Sequence, residues 1–257
     1  MFKKNGTIIL SHNQDYNDAQ RLFNIIHQNA SEVGCDKYTI YPAKRLSDFE
    51  SSLDKNKFGN SFMQIPDEAN IDPHIFFKES NKYINQNDNI QYVSKEIKSI
   101  QSSFNLQKTL VIDARGIGSK HDSHRNIFGI RGEALLVNAP DVNLKHSIRM
   151  VHPRHPIYIT PRKNNHYYIG ATTINSEDES PISIKSSLEL MSSLYSLHEG
   201  FSEARVLKTY ARARPSYISG LPKIENNNGV ISINGFYRHG YLLAPYYCSE
   251  LINNYLI

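Results

Sequence analysis

The sequence predicts a mixed fold, α+β and α/β together, in which pieces of an α/β layer alternate along the chain with a mostly antiparallel sheet. Three observations carry this. Leu110-Val111-Ile112 is an unbroken apolar run, the pattern of a strand covered on both faces in an α/β layer. Between residues 129 and 173 the texture changes to short apolar segments, 134–137, 157–160 and 167–173, separated by Asn- and Pro-containing turns. Helical periodicity recurs on either side of that region.

Taken in order, residues 6–11 read as a short strand. Residues 15–33 place Tyr16, Ala19, Phe23, Ile26, Ala30 and Val33 at helical spacing, and Gly34 follows as a stop. Asp72-Pro73 is a helix start, because Asp offers an oxygen to free N–H groups and Pro suits the first helical position. Phe76, Tyr83 and Ile84 are expected on the inner face of that helix. The strand at 109–113 runs into Ala114-Arg115-Gly116-Ile117-Gly118, a glycine-rich exit where backbone can approach a ligand closely. Residues 183–198 read as a helix packed through Leu188, Met191, Leu194 and Tyr195, and 230–234 as another strand. A polar and aromatic loop follows at 235–240. The last helix is expected over 242–256, with Pro245 in its first turn.

The 257 residues are enough to bury a core, and 39% of them are hydrophobic. Net charge is +4, with Lys and Arg scattered among Asp and Glu, so no basic stripe for nucleic acid is present. No apolar run approaches the roughly 18 residues of a membrane span, and the apolar segment from Thr7 to Leu10 is too short for a signal sequence. Cys35 and Cys248 fit no metal or redox spacing and read as free thiols of a cytoplasmic protein. His121 with His124, and His152 with His155, have H-x-x-H spacing. Neither pair has a third ligand nearby, so both read as polar loop residues and no metal is expected. Glu177-Asp178-Glu179 reads as a solvated turn.

Chemistry concentrates in three segments. The first is Tyr158-Ile159-Thr160-Pro161-Arg162 with Gly170-Ala171-Thr172-Thr173. The second is Arg212-Ala213-Arg214-Pro215 with Gly220 and Pro222. The third is Gly235-Phe236-Tyr237-Arg238-His239-Gly240 running into Leu242-Leu243-Ala244-Pro245. A glycine-bounded loop entering a helix N-terminus attracts negative charge, and Arg238 and Arg214 each add a planar fork of donors suited to a carboxylate.

These segments together resemble the flavin-dependent amine oxidases of the glycine oxidase and D-amino-acid oxidase family. Their pattern runs I-x-P-R…G-A-T, G-L-R-P…D-G-x-P, then G-H-x-R-x-G-I-L-L-A-P. Here it stands, in that order, as IYITPR…GATT, RARP…SGLP and GFYRHGYLLAP. Upstream, Val111-Ile112-Asp113-Ala114-Arg115-Gly116, the Arg131-Gly132-Glu133 turn, Asn70-Ile71-Asp72-Pro73 and the strand at Gly6-Thr7-Ile8 extend the resemblance over nearly the whole chain.

The resemblance implies an FAD-binding α/β domain interleaved with a substrate domain built on an antiparallel sheet. Residues 5–68 and 127–200 would form the substrate domain, and 69–126 and 201–257 the remaining part of the FAD-binding domain. It implies FAD-dependent oxidation of a small amine or amino acid with O2 as final acceptor, and in some relatives a place in thiamine biosynthesis. Arg214 and Tyr158 would bind the substrate. Ile97, Arg238, His239, Gly240, Tyr241 and Leu242 would border FAD. No acid–base residue is demanded, since hydride transfer from a neutral amine needs orientation above all.

Some positions depart from the pattern: Arg212 stands for a glycine, Phe236 for a histidine, His239 for the usual asparagine and Ser219 for an aspartate. The chain also contains no G-x-G-x-x-G fingerprint. The expectation is therefore that FAD binds poorly to the chain alone and needs a separate N-terminal FAD-binding chain, with Leu110 to Ile112 left exposed. The other reading is a truncated, non-catalytic relic that retains at most a carboxylate-binding pocket.

Overall fold

The structure, a computed structural model, describes residues 2–35, 37–121 and 126–256. The chain begins with strands β1 (Phe2–Lys3) and β2 (Thr7–Ser11), then helix α1 (Tyr16–Glu32), β3 (Thr39–Pro42), α2 (Leu46–Phe49), β4 (Ser61–Ile65) and β5 (Asn70–Ile71). Next come α3 (Pro73–Asn85), α4 (Ile100–Ser103), β6 (Val111–Asp113), β7 (Ile127–Asn138), β8 (Ser147–Val151), β9 (Ile157–Pro161) and β10 (His166–Gly170). The last elements are α5 (Ile184–Leu197), β11 (Arg205–Tyr217), β12 (Lys223–Asn227), β13 (Val230–Asn234) and α6 (Gly240–Tyr255).

Two compact units result. The first holds Met1–Tyr92, Glu133–Thr172 and Pro181–Tyr210; the second holds Val93–Gly132, Thr173–Ser180 and Ala211–Ile257. The units therefore divide at other points than the domain boundaries expected at 68, 126 and 200. Residues 69–92 go with the first unit because β5 pairs with β1, and Arg162 donates to Asn70 and to the Ile71 carbonyl.

The first unit is organised by an eight-stranded sheet of order β11-β7-β10-β9-β8-β2-β4-β3. β7, β10 and β9 pair antiparallel, as their alternating segments predict, while β2 and β8 pair parallel. The two-residue period splits each strand between the faces. Ile8, Ile148, Ile159, Ile169 and Leu135 point to one side, where Leu190, Leu194 and Leu197 of α5 cover them. Ile9 and Met63 point to the other, under Ala19 and Phe23 of α1. The turn from β9 to β10 uses Asn164 and Asn165 at φ 61 and 55, a conformation asparagine tolerates better than most residues. Asp72 caps α3, accepting from His74 N–H at 3.0 Å and Ile75 N–H at 3.2 Å, with Pro73 as the first helical residue.

The second unit has a three-stranded sheet, β12-β13-β6, in which β13 runs parallel to β6 and antiparallel to β12. Asn228 and Gly229, both at positive φ, make a two-residue hairpin between β12 and β13. Val111 and Val230 pack with Ile100, and Ile231 and Ile233 with Leu251 of α6.

Several expectations need correction. β6 is covered on one face only: the expected exposure of Leu110 to Ile112 holds for Leu110 and Ile112, at 51% and 45%, but Val111 is buried. Arg131-Gly132-Glu133 is no turn but lies inside β7. α5 carries two apolar stripes, and the buried one runs through Leu190, Leu194 and Leu197, leaving Leu188 and Tyr195 outside. None of α3's residues is fully buried, and Tyr83, expected inside, is exposed. Pro245 is the sixth residue of α6, because the helix starts earlier, where the His239 carbonyl accepts from Leu242 and Leu243. Glu177 and Asp178 are not simply solvated: Glu177 binds Lys120 at 2.7 Å and Gly129 N–H at 2.8 Å, and Asp178 faces Arg131 at 3.4 Å.

Candidate active site

In the second unit, β11 delivers Arg214 and Pro215. The half-buried Arg214 guanidinium lies directly against Gly132 of β7, where a Cβ would fall within the guanidinium itself. On the opposite face of β11, Ala213 sits on Gly129, whose Cβ would approach the Ala213 Cβ to 2.9 Å. Pro215 packs on the Gly116 turn, where an added Cβ would meet its Cγ at 3.5 Å. Its carbonyl accepts from Tyr237 N–H at 3.0 Å. That bond ties the strand bearing Arg214 to the loop bearing Arg238, so the second and third predicted segments do come together.

The loop is held at both ends. Asn234 donates to the Gly116 carbonyl at 2.9 Å and to Ser119 Oγ at 3.0 Å, and His239 N–H bonds the Phe236 carbonyl at 2.8 Å. Gly240 opens α6, and the nearest atom to where its Cβ would stand is Phe236 Cβ at 3.8 Å. A side chain at the first residue of this sixteen-residue helix would therefore have room, and exposed Arg238, His239, Tyr241 and Leu242 flank it. An open helix N-terminus beside arginine suits an anionic or electron-rich group such as FAD.

Ile97 packs near Val111, and its carbonyl accepts from Arg115 Nη1 at 2.8 Å. Arg115 also grips the buried Asp113 through Nε at 2.9 Å and Nη2 at 3.1 Å, which locks the exit of β6. Arg212, the replacement for glycine, is exposed and folds onto its own strand, donating to the Ala211 carbonyl at 2.9 Å.

In the first unit, Tyr158 of β9 lies over Gly170 of β10, where an added Cβ would meet its Oη at 2.6 Å. A row of rings continues from it. Tyr158 stacks on Tyr168 with centroids 6.2 Å apart, and Tyr168 tilts against Tyr210 at 5.7 Å. Tyr210 Oη meets His74 Nε2 at 3.2 Å. Burial, with Asp72 adding repulsion, pushes the Tyr210 hydroxyl above its ordinary pKa. Burial lowers the pKa of Arg162, and the carboxylate of Asp72 opposes that shift.

His152 accepts the N–H groups of Arg154 and His155 on Nδ1, at 3.2 and 3.0 Å, so its H-x-x-H spacing forms a turn. His124 lies outside the described residues. Sequence reasoning missed Tyr168, Tyr210 and His74, and it named Gly132 and Gly170 without their place beneath Arg214 and Tyr158. Tyr168 was signalled by its same-face position two residues before Gly170, but nothing local pointed to His74 or to the glycines as floors.

A sequence profile for the family described as FAD dependent oxidoreductase, DAO, matches residues 1–253. A thiamine biosynthesis oxidoreductase, ThiO, of Rhizobium etli is 44% identical over 128 residues, half of this chain and 39% of that protein. Glycine oxidase of Geobacillus kaustophilus is 25% identical over 135 residues, 51% of this chain and 35% of that protein. The matched stretches thus span well under half of either relative. Among solved structures, glycine oxidase of Bacillus cereus superposes with a TM-score of 0.78 at 20% identity, over 98% of this chain and 74% of that one. That of Geobacillus kaustophilus gives 0.76 at 19%, over 95% and 69%. At such identities the likeness shows a shared fold.

Proposed function

The chain belongs to the FAD dependent oxidoreductase family, and from that premise we propose that it serves the oxidative deamination of a small amine or amino acid, of the glycine oxidase and ThiO kind. The observation that carries the reading is the seating of Arg214 on Gly132, in a strand bonded through Pro215 to the Tyr237–Arg238 loop. A guanidinium fork on a strand bonded to the loop that leads into a glycine-started helix suits a substrate carboxylate next to a flavin.

Bound FAD supplies a hydride acceptor that O2 reoxidises, releasing H2O2. The chain's own residues supply orientation. Arg214 pairs both carboxylate oxygens and so fixes the substrate's Cα. Tyr158, in the first unit, is the second substrate-binding residue that the family pattern suggests. Arg238, His239, Gly240, Tyr241 and Leu242 would border the flavin ring, and Ile97 the nucleotide, when FAD is bound. In this reading no side chain need take a proton from Cα. The pyrophosphate grip comes from a further βαβ unit, on the same or another polypeptide, because G-x-G-x-x-G is not among these 257 residues. A cytoplasmic setting and a role in thiamine biosynthesis go with the ThiO likeness.

The test measures H2O2 release from glycine, sarcosine and D-alanine with FAD, with and without an added nucleotide-binding βαβ polypeptide. Arg214→Ala should lower kcat/KM roughly 30-fold to several thousand-fold, and Arg214→Lys should recover little. If Arg212→Ala abolishes turnover while Arg214→Ala spares it, the assignment within R-A-R-P is wrong. Glycolate binding without any turnover would favour the non-catalytic relic.

A further inference from the structure

We infer that Gly132 is a positioning residue for Arg214: the missing side chain lets the guanidinium lie on the β7 backbone and sets the plane of its donor fork. The inference rests on the carboxylate reading of Arg214 for its purpose, though not for its geometry.

Two observations exclude a backbone reason for this glycine. Gly132 lies mid-strand and is not among the glycines at positive φ, so its conformation suits any residue. A glycine within a strand is otherwise a cost, since it packs nothing and orders a flexible link. What the position demands is space, because a Cβ there would overlap the guanidinium of Arg214.

The flanking residue Arg131 keeps this floor in place. Its side chain is almost wholly buried and donates to the carbonyls of Asp178 and, at 2.8 Å, Ser180. Its own N–H and carbonyl bond Ile174 at 2.9 and 3.0 Å. Alternation along β7 sends Arg131 one way and Gly132 the other. Arg131 therefore pins the strand from behind while Gly132 leaves its front bare. Across the pair, Ala213 seated on Gly129 holds β11 against sliding. Lost orientation of a bidentate donor weakens recognition even when its charge stays.

The experiment compares Gly132→Ala, Arg214→Ala and the double variant of the full chain, using thermal melting and phenylglyoxal labelling read residue by residue by mass spectrometry. Gly132→Ala should lower the melting temperature by roughly 2–10 °C when Arg214 is present. It should cost nothing when position 214 is Ala, because the clash is then gone. Should Gly132→Ala fail to fold, the double variant should fold as Arg214→Ala does. Labelling of Arg214 should rise several-fold in Gly132→Ala while Arg212, exposed on the same strand, is unchanged. Equal loss of stability in both backgrounds, no loss in either, or unaltered Arg214 labelling overturns the inference. The carboxylate reading is scored separately, by whether glycolate slows Arg214 labelling in the unsubstituted chain. Absence of that protection rejects the reading and leaves the Gly132 result standing.

Discussion

Single side chains set the local geometry here through buried polar contacts more than through surface charge. Arg162 gives one donor to Asn70 Oδ1 and another to the Ile71 carbonyl at 2.9 Å, joining the end of β9 to the start of α3. Replacing it with Ala leaves both acceptors unmatched in a part-buried site. We expect a loss of about 1–3 kcal/mol in urea unfolding; an unchanged midpoint would mean water substitutes fully. Glu177 behaves differently because it is largely exposed. Its hydrogen bond from Lys120, then that from Gly129 N–H, hold its carboxyl below the ordinary glutamate range. A depressed folded pKa means that the unfolded chain takes up the proton first. This contribution is therefore complete above pH ~4.3 and is lost as pH falls through the folded value. Glu177→Gln should lower the melting temperature slightly at pH 7 and converge on the parent as pH falls through the folded value, so its acid profile is flatter. A variant with the same acid profile as the parent would remove Glu177 from the balance.

At the scale of elements, local rules read the chain well where one residue type decides the matter. Asp72-Pro73 signals a helix start, and Asp72 does cap α3; Asp72→Ala should cost about 0.5–2 kcal/mol. The rules fail where two answers fit one pattern. The expected inner face, Leu188, Met191, Leu194 and Tyr195, mixes two stripes, 188-191-195 and 190-194-197, and periodicity cannot say which one faces the sheet. The sheet chooses the second, placing Leu190 in the core and leaving Leu188 61% exposed. Leu190→Ala should therefore cost about 2–5 kcal/mol and Leu188→Ala less than about 0.5. Equal costs in chemical denaturation would show that the face is assigned wrongly. Asn228-Gly229 carries an Asn-Gly turn signal that the sequence reading did not use, because the run before it, Lys223–Asn227, is mostly polar and β12 was missed with it. The glycines beneath Arg214 and Tyr158 stood in the motifs, but their role was not legible. Their role belongs to a neighbouring strand, and no local signal carries it.

At the scale of the whole molecule, motif order supplied what periodicity could not. Val111 and Val230, far apart in sequence, pack together in one parallel pair, a contact that no window of local pattern contains. The same pair shows what an apolar run leaves undecided. β6 ends its sheet, and beside it Leu110 and Ile112 are 51% and 45% exposed. An end strand that presents apolar side chains on one face is a template for association with another chain. A charge on its open face should block that association without touching the core, since Val111 and Asp113 point the other way and are buried. Ile112→Lys should therefore leave the melting temperature nearly unchanged and shift sedimentation toward the monomer. Val111→Lys, the inward control, should unfold the second unit. If Ile112→Lys instead destabilises the chain as Val111→Lys does, Ile112 is covered in solution, and the face assigned here as open is already occupied. If it alters neither stability nor sedimentation, the edge of β6 does not drive self-association, and the exposed residues elsewhere on the unit, Leu221 and Leu242 among them, become the next to be replaced.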